Sequence, residues 1–297
     1  MQNGAGSRAR EARRRGDEVL KRGEFAKYEA LGNDYAIVEL ARLGFKLTRA
    51  RVRALCDRHA GIGADGILGL ARSRRADFAM RVWNPDGSEA ERSGNGLRMF
   101  ARFLRDFGYT RKREIAIETR GGIARAELVL RGRQIARVRV AMGRASFQSR
   151  DIPMSGPARE AVGEYLGIGP RGLRFTAVSI GNPHCVVFVP KPSTADLLEY
   201  GPQIERHPAF PKRINLQLAS VTSRRSIEAL VWERGVGATR ASGSSACAVA
   251  AAAVRNGLVD GRVSVRMPGG SLAIEVAEDF EILMTGPATP VYSGRLL

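Results

Sequence analysis

Cysteine, histidine and lysine are all scarce in this 297-residue chain, and each scarcity narrows the chemistry open to it. The three cysteines, Cys56, Cys185 and Cys247, form an odd, unpatterned set, so neither a disulfide framework nor a cysteine zinc site is expected. The histidines are also three, and none has a third ligand at metal spacing, so no metal site is expected. None of the six lysines stands out as an anchor for pyridoxal phosphate. Dinucleotide fingerprints and phosphate-binding loops are likewise missing, so the expectation is chemistry without a cofactor. Long apolar runs are absent: the longest, Ala246–Val254, falls far short of the roughly 20 residues of a membrane span. The polar, arginine-rich start has no apolar signal-peptide core, and the expectation is a soluble cytoplasmic protein with no membrane partner.

What the chain has in excess is arginine. With 48 basic and 30 acidic residues the net charge is +18, which invites a nucleic-acid reading. The arginines are spread along the whole chain, however, and the first 24 residues contribute only +3. Aromatic residues are only 6% and are not interleaved with basic ones as in single-strand binders. Nucleic acid is therefore the minority expectation.

The length suits two modest domains. Residues 1–24 read as a charge-mixed extension, helical from Arg8 to Glu24 and outside the core. Strands are expected at Ala36–Leu40, Phe78–Trp83, Glu114–Glu118, Arg125–Leu130, Gln134–Val140, Val186–Val189, Asn215–Val221, Ile227–Trp232, Val263–Met267, Leu272–Val276 and Phe280–Thr285. Helices are expected at Leu47–Arg58, Leu97–Phe107, Ala158–Leu166 and Ala246–Asn256, with a linker at Gly143–Gly156. Many strands with few helices indicate an α+β chain.

The most informative feature is an internal repeat. Leu31-Gly32-Asn33-Asp34 leads into an apolar run, and so does Ile180-Gly181-Asn182-Pro183. Ser93-Gly94-Asn95-Gly96 opens one expected helix, and Ser242-Gly243-Ser244-Ser245 opens another. Asn33 to Ser93 and Asn182 to Ser242 are both 60 residues, so the halves are offset by a constant 149. Two matched motifs at one offset point to two similar domains with a pseudo-twofold cleft between them.

A serine at a helix start ordinarily just caps a backbone N–H, and for either serine alone that explanation suffices. Two helix N-termini facing one cleft would instead gather free N–H groups and dipoles around a small carboxylate. Gly94 and Gly243 would let backbone approach it closely. Paired groups on opposite faces of one carbon can remove a proton from one side and return it from the other.

The motifs Leu31-Gly32-Asn33-Asp34-Tyr35, Cys56-Asp57-Arg58-His59 with Gly61-Ile62-Gly63-Ala64-Asp65-Gly66, Asn84-Pro85-Asp86-Gly87-Ser88, Ser93-Gly94-Asn95-Gly96, Gly181-Asn182-Pro183-His184, and Glu233-Arg234-Gly235 with Ser242-Gly243 run in the order in which they occur in the diaminopimelate epimerases. From Lys27 to the C-terminus the chain resembles that family. The resemblance implies two pseudo-symmetric α+β domains, each a mixed or antiparallel sheet wrapped around a central helix, with the active site in the cleft between them. It sets the domains at 25–148, completed by 286–297, and 149–285. It implies cofactor-independent interconversion of LL- and meso-diaminopimelate by two-base proton transfer. The family's two catalytic positions, which are cysteines there, fall on Ser93 and Ser242. His184 and Glu233 match residues near the site, and Asn33, Asn84, Asn182, Asn215, Glu233 and Arg234 match residues that hold the substrate. Asn95 and Ser244 complete the helix-start nests, while Gly66 and Ala238 stand where some relatives carry polar side chains. The partner is an amino-acid substrate, and a homodimer stays open.

An alcohol is far less acidic than a thiol, so three readings remain. The protein epimerises with serine helped by His184 or Glu233, or is a related isomerase or racemase with another substrate. Alternatively it binds an amino acid without turning it over. Cys247, more than a helical turn beyond Ser242, reads as core. His59 and His207 read as surface or structural residues, His184 has a buried structural role as its competitor, and Asp57, Asp65 and Asp86 read as turn caps.

Overall fold

The computed structural model describes residues 19–132, 134–168 and 171–296. The chain folds as two compact units, one running to Val140 and resuming at Pro287, the other spanning Ala141–Gly286.

The first unit begins with β1 (Glu24–Ala30) and β2 (Asn33–Glu39), an antiparallel hairpin in which Ala30 faces Asn33. Its two-residue turn, Leu31-Gly32, has φ of 60° and 84° at the two positions. Such primed turns match the right-handed twist of the flanking strands. A short 3-10 turn, Leu40–Arg42, leads to α1 (Arg49–Cys56), capped by Thr48. Then come β3 (Ile67–Ala71), β4 (Phe78–Trp83), β5 (Glu89–Ala90), α2 (Gly94–Asp106), β6 (Glu114–Thr119), β7 (Gly122–Arg131) and β8 (Gln134–Arg144).

The second unit holds β9 (Glu164–Ile168), β10 (Arg171–Ser179), β11 (Pro183–Phe188), α3 (Thr194–Glu205), β12 (Asn215–Ser223), β13 (Ser226–Glu233) and β14 (Gly237–Thr239). It continues through α4 (Gly243–Arg255), β15 (Arg262–Met267), β16 (Gly270–Val276) and β17 (Glu281–Gly286). Finally β18 (Thr289–Arg295) pairs antiparallel with β1, so the end of the chain belongs to the first unit.

The two units repeat one pairing scheme. In the first, β2 runs parallel to β3, β3 antiparallel to β4, and β4 parallel to β6. In the second, β11, β12, β13 and β15 repeat those relations. Even the register is copied: Ala36 faces Ile67 and Cys185 faces Leu216, while Ile67 faces Trp83 and Leu216 faces Trp232. Each of those residues has its counterpart 149 positions on.

Each unit is built around one helix. In α2 the side chains of Leu97, Met99, Phe100, Phe103 and Leu104 are fully buried, each contributing about 2 kcal/mol. From Ala246 to Ala253, α4 has no exposed residue. A helix apolar all round has to be enclosed, and here β10 to β13 and β15 to β17 touch it. Alanine suits this place because it is the best helix former and lets strands approach closely. On the far side of the second sheet, Leu197 and Ile204 of α3 pack with Phe175, Phe210 and Trp232.

Several sequence expectations fail. No helix forms over Ala158–Leu166: Glu160 bridges to Gln148, and Glu164 opens β9 alongside β10. Gly163, at φ 67°, interrupts the helical pattern, and pairing with β10 decides the rest. Gly143–Gly156 is not a linker, since Phe147 and Ile152 are buried and Ser146 bridges to Ser179. Accordingly the division falls at 140/141 rather than 148/149. Residues 8–18 of the expected N-terminal helix lie outside the described residues. Its other end is wrong, because Glu24 starts β1 and Leu20 is buried, its N–H bound to the Tyr109 hydroxyl. The strands β1, β3, β5, β9, β10, β14 and β18 and the helix α3 have no counterpart among the sequence expectations.

Candidate active site

Ser93 and Ser242 are the N-caps of α2 and α4, the same place in the two units. Both have extended backbone, and each hydroxyl accepts the N–H three residues on, from Gly96 at 3.0 Å and from Ser245 at 3.5 Å. Gly94 and Gly243 are the first residues of the two helices. The first N–H groups of a helix lack intrahelical acceptors and carry its positive dipole end, so each N-terminus favours an anion.

A second contact is repeated. In the first unit Asn95 Nδ2 donates to Asn33 Oδ1 at 3.3 Å. In the second, Asn182 Nδ2 donates to Ser244 Oγ at 3.5 Å, and both pairs are 62 residues apart in sequence. Each unit thus ties the asparagine beside its β-turn to the start of its central helix.

The support of that asparagine differs between the units. Asn33 Nδ2 donates to Asp65 at 3.0 Å, and Asp65 is paired with Arg58 at 2.7 Å. Asp34, next along, pairs with Lys27 at 2.7 Å and Arg58 at 2.8 Å. Burial would raise the Asp34 carboxyl, but hydrogen bonds from Arg58 and Lys27 outweigh it and bring it down to about 2. Asn95 Oδ1 accepts from the fully buried Arg98 at 2.8 Å. Asn84 is engaged in its own turn, donating to Ser88 Oγ at 3.0 Å.

In the second unit the titratable groups are closer to the helix start. Burial raises the Glu233 carboxyl above the usual carboxylate range, against the opposing hydrogen bonds of Thr239 and Ser242. Thr239 Oγ1 lies 3.1 Å from Glu233 Oε1. His184 has no solvent exposure, with Nε2 3.0 Å from Asn182 Oδ1 and Nδ1 3.0 Å from Gln217 Nε2. Burial, assisted by the Arg234 charge, pushes its pKa down to about 3, so the ring is neutral. A neutral ring with both nitrogens engaged inside the protein positions neighbours better than it exchanges protons. Asn215 is buried and spends its amide on backbone, donating to Pro183 O at 2.8 Å and accepting from Arg234 N–H at 2.8 Å. Arg234 is exposed, and its Nη1 donates to Lys212 O at 3.0 Å.

The structure therefore gathers Asn33, Ser93, Gly94 and Asn95 in one unit, and Asn182, His184, Glu233, Ser242, Gly243 and Ser244 in the other. Sequence reasoning missed Gln217, Ser245, Thr239 and the clamp of Asp65 on Asn33. Gln217 left a signal: it lies two residues after Asn215 on a strand, hence on the same face. At Gly66 a polar side chain would not fit, because a Cβ there would meet Trp83 O at 2.3 Å. Asp57 and Asp86 cap turns, accepting from His59 N–H at 2.7 Å and Ser88 N–H at 2.8 Å. Cys247 is buried in α4. Among the described residues no three His, Cys, Asp or Glu side chains could share a metal ion, and no helix is long and apolar enough to cross a membrane.

A family model described as diaminopimelate epimerase matches residues 25–148 and 176–291. The chain belongs to the diaminopimelate epimerase family. It is 46% identical over 278 residues to a diaminopimelate epimerase of Desulforudis audaxviator, covering 92% of this chain and 98% of that one. To diaminopimelate epimerase 2 of a Nostoc species it is 44% identical over 274 residues, covering 92% and 95%. Among solved structures, a probable proline racemase from Agrobacterium radiobacter superposes with a TM-score of 0.68 at 15% identity, covering 92% of each chain. A PhzF-family phenazine biosynthesis protein from Bacillus anthracis gives 0.65 at 17% identity, covering 94% of this chain and 100% of that one. These distant likenesses establish the fold: a diaminopimelate epimerase, racemase and PhzF architecture of two pseudo-symmetric α+β halves. The close relatives are epimerases by name, a class of isomerase.

Proposed function

We propose that the protein is an amino-acid epimerase of the cytoplasm, cofactor-independent, interconverting LL- and meso-diaminopimelate. The observation that carries this reading is the near-full-length identity of 46% and 44% to diaminopimelate epimerases. In our reading Ser93 and Ser242, each at the start of its unit's central helix, are the two acid–base groups of the reaction. Ser242 Oγ takes the α-proton as its own hydroxyl proton passes to Glu233. Raised by burial, this carboxylate is a stronger base than an exposed one. The helix N-termini stabilise the developing charge on the substrate carboxylate. Ser93 delivers its hydroxyl proton to the α-carbon and regains one from solvent, while Glu233 releases the proton it took to solvent. Asn33, Asn84, Asn95, Asn182, Asn215, Ser244 and the backbone at Gly94 and Gly243 hold the reacting end. The exposed Arg234 suits the distal carboxylate, where a planar fork binds bidentately. His184 stays in this site as a neutral support.

Arginines spent in ion pairs, such as Arg159 with Glu164 at 2.6 Å and Arg224 with Asp260 at 2.7 Å, support leaving nucleic acid out of the reading. A second reading, binding without turnover, is favoured by serine where the resemblance places both cysteines.

Incubation with LL-diaminopimelate in heavy water, followed by proton NMR, tests the proposal. Loss of the α-proton signal with appearance of the meso form is expected. Saturable binding without exchange would establish the second reading instead, and neither binding nor exchange would reject the substrate. Replacing both Ser93 and Ser242 by cysteine raises the exchange rate about tenfold or more, because a thiolate is far more accessible than an alkoxide.

A further inference from the structure

We propose that Gln217 is a positioning residue: it fixes the hydrogen of His184 on Nε2 and thereby orients the Asn182 amide at the start of α4. Gln217 has no solvent exposure, and neither the family motifs nor the proposed chemistry assigns it a task. Its Nε2 carries two hydrogens and has two acceptors at 3.0 Å, His184 Nδ1 and Ser245 Oγ. Its Oε1 has no hydrogen-bond partner among the described residues. Turning the amide over would put two buried N–H groups in that partnerless place instead of one oxygen. Each unsatisfied donor is costly, so the present orientation wins.

The rest follows as a chain of forced orientations. With an N–H pointing at it, His184 Nδ1 must be bare, and the neutral ring carries its hydrogen on Nε2. That hydrogen is directed at Asn182, whose Oδ1 lies 3.0 Å from Nε2 and is thereby selected as acceptor. Asn182 Nδ2 is thereby turned toward Ser244 Oγ. Ser244 Oγ in turn lies 3.5 Å from Ser242 Oγ. Ser245, whose side chain receives the second Gln217 hydrogen, donates its own N–H to Ser242 Oγ. The circuit closes on the cap of α4, so a strand residue two positions beyond Asn215 controls which way polar groups point at that helix start. The charged group acting on the ring is Arg234, and Asn182 and Gln217 are the groups that bond it.

The ring state is read without substrate, by proton–nitrogen NMR of the folded chain labelled at histidine. His184 is assigned in a His59→Gln, His207→Gln double variant, where it is the remaining histidine. A bare Nδ1 and a protonated Nε2 are expected. In Gln217→Glu a carboxylate replaces the donor and Nδ1 gains a hydrogen. In Gln217→Leu, which donates nothing, the ring loses its single tautomer. The kinetic arm rests on the proposed epimerase reading: both variants raise KM on the order of tenfold while kcat changes less, as expected for loss of one or two hydrogen bonds that orient substrate. A wild-type ring protonated on Nδ1 overturns the inference whether or not either variant folds. Folded variants that keep the wild-type ring pattern, or lose kcat with KM unchanged, also overturn it. A protein that fails to exchange the α-proton yet shows the expected ring states loses the epimerase reading and keeps this one.

Discussion

Replacing Asp34 by asparagine tests whether the charged clamp under Asn33 stabilises the first unit. Lys27 and Asp34 are 2.7 Å apart, with side chains only 11% and 15% exposed, and Lys27 also donates to Gly63 O. Hydrogen bonds from Arg58 and Lys27, prevailing over burial, take the Asp34 carboxyl from 3.8 to about 2. A depressed carboxyl means that the unfolded chain binds the extra proton as the pH falls. The stabilisation, about 2 kcal/mol, is complete above about pH 5 and is lost as the pH drops toward 2. Part of it is salt-sensitive, because Arg58 is 54% exposed, while the sheltered Lys27 pair resists screening. Urea unfolding at about pH 7 and about pH 3, read by Trp83 emission in a Trp232→Phe background, measures both quantities. Asp34→Asn loses about 2 kcal/mol at neutral pH and shows a flatter acid dependence than the wild type. An unchanged acid slope, or a variant as stable as the wild type at neutral pH, would refute the assignment.

Two further outcomes can be checked with single substitutions. Glu233→Gln lowers kcat by about 100-fold or more, as loss of a general base does. Because burial holds that carboxyl above its ordinary value, ionising it costs stability at neutral pH, so the variant melts no lower than the wild type. A melting temperature that falls with kcat would assign Glu233 to structure instead. For Gly201→Ala in α3, helix propensity favours alanine by about 1 kcal/mol, but the new Cβ would lie 2.4 Å from the Trp232 ring. Overpacking, about 1–3 kcal/mol, outweighs the gain, and the melting temperature drops by about 3–6 °C in calorimetry. A rise would show that Trp232 yields freely.

Those two residues also show where sequence reading stops. The helix α3 has no counterpart among the sequence expectations, and Gly201-Pro202, an arrangement that ordinarily marks a turn, sits in its interior. Gly201 itself is explained by Trp232 on β13, whose ring occupies the space a side chain would need. The expected helix over Ala158–Leu166 failed for the converse reason: local pattern favoured a helix, while β10 offered an edge that only folding brings near. His184 divides similarly. Its place beside Asn182 is sequential, but its burial and neutral state come from elements packed around it.

By itself the sequence determined the duplication, since a constant offset of 149 residues recurs in motifs and, afterwards, in strand register. It also determined the two helix starts, because capping depends on a serine and the three residues after it, all local. Tertiary structure alone decided which polar side chains meet at those starts. Asn33 finds Asp65, and His184 finds Gln217, 33 residues further along the chain. Hydrogen bonds of that kind depend on distance and direction in space, and sequence separation specifies neither.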